Sequence, residues 1–596
     1  QEHQYMMLDT ELFPNSFKYQ LINSIQSLDE QTDGVIIHSD NFQALNLLQK
    51  KYSESIQTIY IDPPYNTDTA PILYKNGYKD SSWLSLINNR IKLGSQLGTS
   101  DLIQITAIDH AELYNLGSVL NSHFGIENRI AIVTVQHNPK GRNQAKFFSE
   151  NTEYLLFYTK NFKLSNFNQV AIDDDVLATF VEQDEIGRYR WENYIRARTT
   201  WARKNKPNNW YALYVSPDLK EITNIYKAGY SEIYPQTPQG EFSWKNIEES
   251  FAELNKNGFF KAEKLSNGTI QIFHKYREQQ VFKNIWLHKK YQSEFNGTNL
   301  LKDILGDSLF SFPKSLYAVS DSIKLSSPSN GTILDYFAGS GTTAHATIEL
   351  NREDNGQRKY ILVEQGEYFD TVLKPRIQKV IYSQNWKDGK PLNPETGMSH
   401  CLKVMKLESY EDTLNNLELI RSKAQEKLFE NDKLTPEQKD DYLMHYMLNF
   451  ESRGSLLSVK DFYNPFDYKM KITIDSAGAY EEVPVDLIET FNYLIGLKVR
   501  DIDYQIERGY VQVTGTTRDG EYTTIIWRDC EKLSYNDLNA LIEKLKINAT
   551  DSEYDLIYVN GDHNIANRNM SVDGTEKTLK IRSIENDFMQ LMFEEQ

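Results

Sequence analysis

The chain has 596 residues, of which 40% are hydrophobic and 25% charged, and its formal net charge is −18. This length predicts roughly three to five domains, and no stretch approaches the about 18 apolar residues needed to cross a bilayer. Cys401 and Cys530 are the only cysteines, which excludes a disulfide framework and a cysteine-based zinc site and favours a reducing cytoplasm. We find no signal peptide, and because the sequence begins with Gln rather than Met we expect further residues upstream.

The acidic surplus is concentrated in the C-terminal third of the chain. Residues 401–596 hold 23 basic and 37 acidic residues, a balance of −14, whereas residues 1–400 carry a balance of only −4. Nucleic-acid binding needs Lys and Arg against phosphates. The first 400 residues can therefore still present a basic surface, whereas the C-terminal third is a poor candidate for a DNA clamp.

Strand-like and helix-like runs alternate from about Gly34 onward. "GVIIHSDNFQALNLLQKKY" predicts a strand, a turn and a helix, "IQTIYIDPPY" a second strand, "WLSLINNRIKLGSQL" a helix and "LIQITAID" a third strand. The same alternation returns in "NGTILDYFAGSGTTAHATIELNRE" and "RKYILVEQ". Continuous Ile, Val and Tyr runs joined by helices predict an α/β fold with a doubly wound parallel sheet covered on both faces.

The regular alternation is interrupted between about residues 137 and 300, where Asn, aromatic and basic residues are frequent. We interpret this stretch as a domain inserted into the sheet. The predicted domains are therefore a first half at 1–136, the insert at 137–300, a second half at 301–400 and an acidic α+β domain at 401–596. The last of these contains a charged helical stretch from Asp412 to Lys439 and the β-like segments "YKMKITID" and "YTTIIWRD".

The sequence "DPPY" follows the second predicted strand directly, at the end of the strand where ligands bind in open α/β sheets. Pro63 and Pro64 fix two φ angles and remove two N–H donors, so the Asp62 carboxylate and the Pro63 carbonyl can converge on one amino group. Two such acceptors would make the lone pair of an adenine amine available, and Tyr65 offers a face for stacking a flipped base. The alternative is a tight turn without chemistry.

A glycine-rich turn follows a later strand in "LDYFAGSGTTAHA". Gly339 and Gly341 allow a tight turn and a close approach to a ligand, and Thr342 begins the next helix at its positive end. Glu364 ends the following strand, where an acid commonly accepts ribose hydroxyls. No third glycine follows at the dinucleotide spacing, which favours a nucleoside cofactor without a diphosphate. Taken alone, the turn could belong to any nucleotide-binding fold.

Together, "DPPY", an irregular insert and then "DYFAGSGTT" resemble the adenine-specific DNA methyltransferases whose catalytic loop precedes the cofactor loop. The modification subunits of Type III restriction–modification systems are the most similar group, and the resemblance covers about residues 25–400. It implies a Rossmann-like sheet with circularly permuted motif order, an inserted target-recognition domain, and metal-free methylation of adenine N6 from S-adenosylmethionine in double-stranded DNA. It also implies a role in restriction–modification or a related phage-defence system, with a helicase–nuclease restriction subunit as partner and often a homodimer.

The resemblance assigns roles residue by residue. The catalytic positions are Asp62, Pro63, Pro64 and Tyr65, and the cofactor positions are Asp40, Lys314, Ser315, Asp335, Phe337, Gly339, Gly341, Thr342 and Glu364. Asp40 fits a helix N-cap equally well, and Lys314 fits a solvated surface charge equally well. Enzymes that methylate cytosine N4 usually carry Ser in place of Asp62, which favours adenine.

The segment "ENYIRARTTWARKNKPNNWY" combines basic residues with aromatics and Asn, a composition suited to phosphate contacts, base reading and stacking. The predicted DNA contacts are Arg196, Arg198, Arg203, Lys204 and Lys206, and a second set in "HNPKGRN" is Asn138, Lys140, Arg142 and Asn143. A solvated charged loop is the alternative. For the whole chain, the open alternatives are an N4-cytosine or RNA adenine methyltransferase, a catalytically silent DNA-binding subunit and a dinucleotide oxidoreductase.

Overall fold

A computed structural model describes residues 4–66, 79–141, 148–168, 178–184, 187–277, 283–417, 456–473, 479–547, 553–565, 568–570 and 576–593. The chain divides into two units: the first comprises Gln1–Asn168 and Asn284–Gln596, and the second Gln169–Lys283. Within the described ranges, no helix is both long and apolar enough to span a membrane.

The first unit contains a nine-stranded sheet. In chain order its strands are β1 (Gly34–His38), β2 (Ile56–Ile61), β3 (Gly98–Ile108), β4 (Arg129–Gln136), β5 (Thr152–Thr159), β6 (Ile285–Trp286), β7 (Thr332–Asp335), β8 (Lys359–Glu364) and β9 (Leu402–Lys406). Their order across the sheet is β6-β4-β5-β3-β2-β7-β8-β1-β9. All neighbouring strands are parallel except β5, which is antiparallel to both β3 and β4.

Helices cover both faces of this sheet. In chain order, the α-helices among the described residues of the first unit are α1 (Asn15–Asn23), α2 (Leu28–Gln31), α3 (Asn41–Tyr52), α4 (Lys79–Leu97), α5 (Leu113–Phe124), α6 (Leu300–Leu305), α7 (Leu316–Ser326), α8 (Thr342–Asp354), α9 (Leu373–Tyr382), α10 (Tyr410–Asn415), α11 (Leu487–Leu494), α12 (Tyr535–Lys544) and α13 (Ile584–Phe593). Side chains alternate between the two faces of a strand. Accordingly, Val35 of β1 packs with Leu45 of α3, whereas Ile36 packs with Ile348 of α8. The predicted α/β fold, a sheet buried on both faces, is confirmed.

The two motif-bearing strands β2 and β7 are neighbours although some 270 residues separate them in the sequence. Ile333 pairs with Thr58 and Leu334 with Ile59, in parallel register. The carboxyl ends of both strands therefore lie at one edge of the sheet, which brings the segment after β2 beside the glycine-rich turn after β7. The permuted motif order is thus compatible with one continuous sheet.

The second unit has its own β-rich core. A four-stranded antiparallel sheet contains Phe260–Lys264, Ile270–Arg277, Gly187–Asn193 and Glu182–Asp184, in that order. A smaller sheet contains Ile222–Thr223, Leu213–Val215 and Ser231–Ile233, short pairs join Gln236–Thr237 to Gly240–Glu241 and Ser243–Trp244 to Ile195–Arg196, and one helix spans Glu248–Lys256. The aromatic residues Tyr194, Trp244 and Phe251 lie fully buried at its centre.

This second unit is shorter than the predicted insert of 137–300. β5 hydrogen-bonds to β3 and β4, and β6 pairs with β4 through Ile285 and Trp286, so both flanks of the predicted insert belong to the nine-stranded sheet. The predicted insert is longer than the second unit because the apolar segment "TEYLLFYT" is buried as β5 between β3 and β4 of the sheet.

The C-terminal region forms a second mixed sheet within the first unit. β10 (Lys498–Gln505), β11 (Tyr510–Thr516) and β12 (Tyr522–Arg528) are antiparallel, and β13 (Leu556–Val559) and β14 (Lys580–Ser583) continue in parallel. Helices α11 and α13 pack on it, as does Leu28 of α2. Hairpins comprise Lys469–Thr473 with Tyr480–Pro484, Arg568–Met570 with Glu576–Thr578, and Trp386–Lys387 with Lys390–Pro391. The predicted helical stretch from Asp412 to Lys439 begins in α10, and its residues from 418 onward lie outside the described part of the chain.

Candidate active site

The segment Asp62–Asn66, called here the DPPY loop, leaves β2 at the carboxyl edge of the sheet. The Pro64 carbonyl accepts a hydrogen bond of 2.7 Å from the indole Nε1 of Trp83 in α4. The Pro63 carbonyl accepts no hydrogen bond from a described residue. At the end of the loop, Asn66 has a φ of +55° and donates to the buried Glu112 carboxylate at 2.7 Å. Trp83 and Glu112 thus help to fix the loop, and the Pro63 carbonyl remains available as an acceptor.

Lys314 lies directly against this loop. Its ammonium is 3.3 Å from Asp62 Oδ1 and 2.5 Å from Glu153 Oε2, and it donates to the Tyr65 hydroxyl. The side chains of Lys314 and Glu153 are only 12% and 5% exposed. The alternative that Lys314 is a solvated surface charge is therefore wrong. Its predicted contact with the cofactor stays a prediction.

The charges of this group influence one another strongly. Burial raises the pKa of the Asp62 carboxyl above its usual value, although Lys314 acts in the opposite direction. Burial alone would lower the pKa of the Lys314 ammonium, but the Asp62 and Glu153 carboxylates raise it. Burial also acts to raise the pKa of Glu153, but Lys314, together with His137 and Tyr65, more than offsets this, so the pKa of Glu153 is lowered. Lys314 is therefore charged and shared between two carboxylates.

The glycine loop, Phe337–Thr342, follows β7 and faces the end of β8. Gly339 and Gly341 have φ values of +54° and +79°, which side chains rarely adopt. The Gly339 N–H donates to Glu364 Oε2 at 2.7 Å, and Glu364 Oε1 accepts from the Gly366 N–H at 2.8 Å. A Cβ added at Gly339 would meet only Phe310, at 3.6 Å, so the loop is open on that side.

Asp335 and Thr342 support the glycine loop from within the protein. Asp335 is buried and accepts from the Phe337 N–H at 3.0 Å and from the Thr343 hydroxyl at 2.5 Å. Burial raises the pKa of Asp335 to about 7. The Thr342 hydroxyl accepts from Arg376 at 2.9 Å. The structure places four predicted cofactor residues in or beside the loop: Asp335, Phe337, Thr342 and Glu364. Their contacts with a cofactor stay predictions.

Arg376 of α9 is a residue that the sequence did not indicate. It is fully buried behind the glycine loop, where it donates to the Ser340 hydroxyl at 2.8 Å, to the Ser340 carbonyl at 3.3 Å and to His345 Nδ1 at 3.2 Å. Burial lowers the pKa of its guanidinium to about 9. In "LKPRIQKV" it has the spacing of an ordinary polar position on an amphipathic helix, so nothing in the sequence signalled its burial.

Two softer cofactor assignments lie at the ends of helices. Asp40 is the N-cap of α3, because its carboxylate accepts from the Phe42 N–H at 2.8 Å, and Arg90 lies 3.5 Å away. The N-cap interpretation of Asp40 is thus confirmed. Ser315 precedes α7, is buried, and donates to the Lys290 carbonyl at 2.7 Å. Whether either residue also contacts a cofactor stays a prediction.

The predicted DNA contacts fall in both units. In the second unit, the Arg196 guanidinium lies 4.4 Å from the Trp201 ring and the Lys206 ammonium 5.3 Å from it, while Arg203 lies 4.6 Å from Trp210. Arg203 also pairs with Glu241 at 3.1 Å, and Arg198 and Lys204 are exposed. In the first unit, exposed Lys140 pairs with Glu294 at 3.0 Å and the Asn138 carbonyl accepts from Gly141. Arg142 and Asn143 lie outside the described residues.

A family model described as DNA methylase, covering the N6 and N4 enzymes, matches residues 56–374, which is more than half of the chain and includes both loops. The chain belongs to this DNA methylase family. It is therefore an enzyme that transfers a methyl group to DNA, and the alternatives of a dinucleotide oxidoreductase and an RNA methyltransferase are not supported.

Curated relatives are similar over long stretches. The chain is 26% identical over 495 residues to the Type III restriction–modification enzyme EcoPI Mod subunit of Escherichia phage P1, covering 73% of each chain. It is 29% identical over 360 residues to the Type II methyltransferase M.KpnI of Klebsiella pneumoniae, covering 58% of this chain and 84% of the relative. It is 24% identical over 394 residues to the EcoP15I Mod subunit of Escherichia coli, of which it spans 60%.

Solved methyltransferase structures are more distant. The M1.HpyAVI–SAM complex is 14% identical with a TM-score of 0.29, and the two chains align over 58% of this chain and 98% of the other. The cytosine-N4-specific PvuII DNA methyltransferase is 10% identical with a TM-score of 0.33, over 60% and 89%. At these TM-scores the likeness adds nothing to the family assignment.

The DNA methylase site thus contains predicted and unpredicted residues. The DPPY loop and the glycine loop meet at one edge of the sheet, as expected. Glu153, Trp83 and Arg376 were missed, although each contacts one of these loops. For Glu153 the only available signal was an acid within the apolar strand "TEYLLFYT", where a buried carboxylate needs a partner.

Proposed function

We propose that this DNA methylase transfers a methyl group from S-adenosylmethionine to adenine N6 at a specific site in double-stranded DNA. The observation that carries this proposal is that two hydrogen-bond acceptors, the Asp62 carboxylate and the Pro63 carbonyl, to which no described residue donates, follow one another on a loop next to the glycine loop. By similarity to the EcoPI and EcoP15I Mod subunits, the chain acts in the cytoplasm as the modification subunit of a Type III restriction–modification system.

The residues at the sheet edge fit S-adenosylmethionine better than a dinucleotide. Asp335 and Glu364 place carboxyl groups at this edge, which favours a ligand with ribose hydroxyls and disfavours a diphosphate. The open side of Gly339 leaves room for a ligand against the backbone. When bound, S-adenosylmethionine supplies a methyl group whose bond to sulfur breaks as the bond to N6 forms, leaving S-adenosylhomocysteine.

The protein's contribution is to orient and activate the amine. The Asp62 carboxylate and the Pro63 carbonyl accept the two N6 hydrogens, which favours the pyramidal amine with an available lone pair. Tyr65 stacks on the flipped base, worth about 1–3 kcal/mol. After transfer, Asp62 takes the proton that N6 loses, a role that its raised pKa supports. Orientation and desolvation together supply roughly 7–11 kcal/mol of the barrier reduction.

Adenine is favoured over cytosine by the acid at position 62, where N4-cytosine enzymes usually carry Ser. Target reading belongs to the basic and aromatic residues of the second unit, Arg196, Arg198, Arg203, Lys204 and Lys206. A helicase–nuclease restriction subunit is the partner, and the acidic C-terminal domain is the contact surface for it or for a second copy of the chain.

The experiment compares the intact chain with Asp62→Ala. We expect the variant to lose transfer of tritiated methyl groups to DNA while its affinity for S-adenosylmethionine, measured by calorimetry, remains nearly unchanged. Asp101→Ala, an exposed acid in β3 outside the site, is the matched control and should retain full activity. Single-molecule sequencing of DNA from a host that expresses the chain should find N6-methyladenine in one motif. Substantial turnover by Asp62→Ala would refute the proposed role of Asp62. Detection of N4-methylcytosine in the host DNA would refute adenine as the target base.

A further inference from the structure

We propose that Glu153 is a positioning residue for methyl transfer, acting through the Lys314 ammonium on Asp62 and Tyr65. The inference rests on the proposed function and deepens it. Glu153 lies in β5, the antiparallel strand, and contacts the DPPY loop at Tyr65, whose hydroxyl donates to Glu153 Oε2 at 3.2 Å. Lys314 comes from the turn before α7, so three separate parts of the chain meet at this point.

Glu153, Lys314 and Asp62 form a largely buried cluster with one excess negative charge, in which Asp62 is the most exposed member. Lys314 stands between the two carboxylates, 2.5 Å from Glu153 and 3.3 Å from Asp62, which makes Glu153 its closer partner. A buried ion pair is a poor stabiliser compared with apolar side chains of similar volume. Stability of the fold therefore gives no reason for three charged side chains here, whereas their contact with the DPPY loop does.

Lys314 takes up one of the two acceptors that the target amine needs, the Asp62 carboxylate. Its ammonium lies near Asp62 and 4.5 Å from the centre of the Tyr65 ring, where the amine of a stacked adenine would also have to approach. Glu153 gives the ammonium a second partner, so Lys314 can remain paired when the Asp62 carboxylate turns to the base. Without Glu153, Lys314 would be held by Asp62 alone and would compete with the substrate.

Removing Lys314 instead has the opposite electrostatic effect. Asp62 and Glu153 would then face each other without a cation, and like charges raise the pKa of a carboxyl group. Asp62 would take up a proton and lose its ability to accept from the amine near neutral pH. Removing both Lys314 and Glu153 restores the charge that the wild-type cluster has, because one carboxylate then remains alone.

Other charged or titratable groups also face this cluster. They are Tyr60 and Tyr65 near Asp62 in the chain, Asp335 at the end of β7, and His137 after β4, which faces Glu153. Because histidine titrates near neutral pH, His137→Gln must be measured in parallel. If the fall of kcat at acidic pH disappears in His137→Gln, the titrating group is His137 and not Asp62.

The test is the pH dependence of kcat for the full-length chain, with plasmid DNA from a methylation-deficient host. The variants are Glu153→Gln, Lys314→Met and the double variant. We expect the acidic limb to move up by about one pH unit or more in Lys314→Met and down in Glu153→Gln, with kcat at pH 7.5 reduced about tenfold or more in each. The double variant should recover at least half of the decrease in log kcat that Lys314→Met causes. In all three variants, the affinity for S-adenosylmethionine should change less than about threefold.

The exposed pair Glu30 and Lys498, 2.9 Å apart, provides the matched control. Glu30→Gln, Lys498→Met and their double variant should leave the profile unchanged. If Lys314→Met or Glu153→Gln fails to fold, Lys314→Arg and Glu153→Asp replace them in the test. Both variants keep the charges, so the acidic limb of the pH dependence of kcat should stay at the wild-type pH.

Three results would overturn the proposal. One is a double variant no more active than Lys314→Met, and another is a limb that stays in place in both single variants. The third is a loss of S-adenosylmethionine affinity in Lys314→Met with an unmoved limb, which would make Lys314 a cofactor ligand instead. In each case, methylation of DNA by the wild-type chain would still support the proposed function. A wild-type chain without methylation activity would refute both the proposed function and the proposed role of Glu153.

Discussion

Trp83 donates its indole N–H to the Pro64 carbonyl across 2.7 Å, from a fully buried position in α4. Trp83 belongs to the core cluster against which Tyr65 also packs. This single bond ties the second proline of the DPPY loop to the covering helix, while the carbonyl of the first proline stays available. The orientation of the Pro63 carbonyl therefore depends on a residue that takes no part in the chemistry.

Trp83→Phe should lower both stability and turnover. The phenyl ring keeps most of the packing but leaves the Pro64 carbonyl without its donor, at a cost of about 0.5–1.5 kcal/mol for the lost hydrogen bond. Because the DPPY loop then loses the hydrogen bond that holds its second proline, we expect kcat to fall about tenfold, the equivalent of about 1.4 kcal/mol. Thermal unfolding and the rate of methyl transfer measure the two effects.

Trp386→Phe is the matched control for this prediction. The Trp386 indole also donates to backbone carbonyls, of Lys379 at 3.1 Å and Ser383 at 2.8 Å, but far along the chain from the DPPY loop. This variant should lose stability and keep kcat. Equal losses of kcat in both variants would mean that Trp83 acts only on global stability.

Arg376→Met should weaken cofactor binding. The variant removes the donors that hold the Ser340 and Thr342 hydroxyls behind the glycine loop, and the loop can then leave the conformation that its positive φ values require. We expect the Kd for S-adenosylmethionine to rise about tenfold, or about 1.4 kcal/mol. Calorimetry measures this directly. Arg358→Met removes another buried guanidinium, bound to Asp354, and should lower stability without changing the Kd.

The sequence predicted the strands and loops of the site because their signals are local. Near-continuous apolar runs make β2 and β7 recognisable, and proline and glycine restrict the backbone immediately after them. By contrast, Glu153 and Lys314 are 161 residues apart, and only the folded sheet brings them together. The same holds for Arg376, whose burial depends on the packing of α9 against the glycine loop. Local patterns thus predict the residues that shape a loop, and long-range packing selects those that support it.

Lys204→Ala should weaken DNA binding through electrostatics alone. Lys204 is exposed in the basic segment of the second unit. If it neutralises a phosphate, the slope of log affinity against log salt concentration should become shallower by about 1, with a similar loss for specific and non-specific DNA. Fluorescence anisotropy over a range of salt concentrations measures the slope. Lys256→Ala, an exposed lysine of the same unit outside that segment, should leave the slope unchanged.

A buried ionic cluster joins the C-terminal domain to the nine-stranded sheet, and its effect on stability should depend on pH. Lys403 of β9 lies 2.7 Å from Glu489 of α11 and 3.5 Å from Asp29, which Lys51 also contacts at 2.8 Å. Burial acts to raise the pKa of Glu489, but Lys403 and then Lys51 lower it to about 2, from an ordinary value of 4.5. The ionised carboxylate therefore stabilises the fold above pH 4.5, and this contribution is lost as the pH falls toward 2.

Glu489→Gln should accordingly lower the free energy of unfolding by about 3 kcal/mol at pH 7, since one pKa unit corresponds to about 1.4 kcal/mol. The gap between variant and wild type should narrow as the pH falls from 4.5 toward 2, because the wild-type carboxylate is then protonated as well. Urea unfolding at pH 7, 4 and 3 measures this gap. Glu30→Gln, in the exposed pair with Lys498, should show no gap at any pH. If the gap for Glu489→Gln is the same at every pH, the loss comes from packing and not from the charge of Glu489.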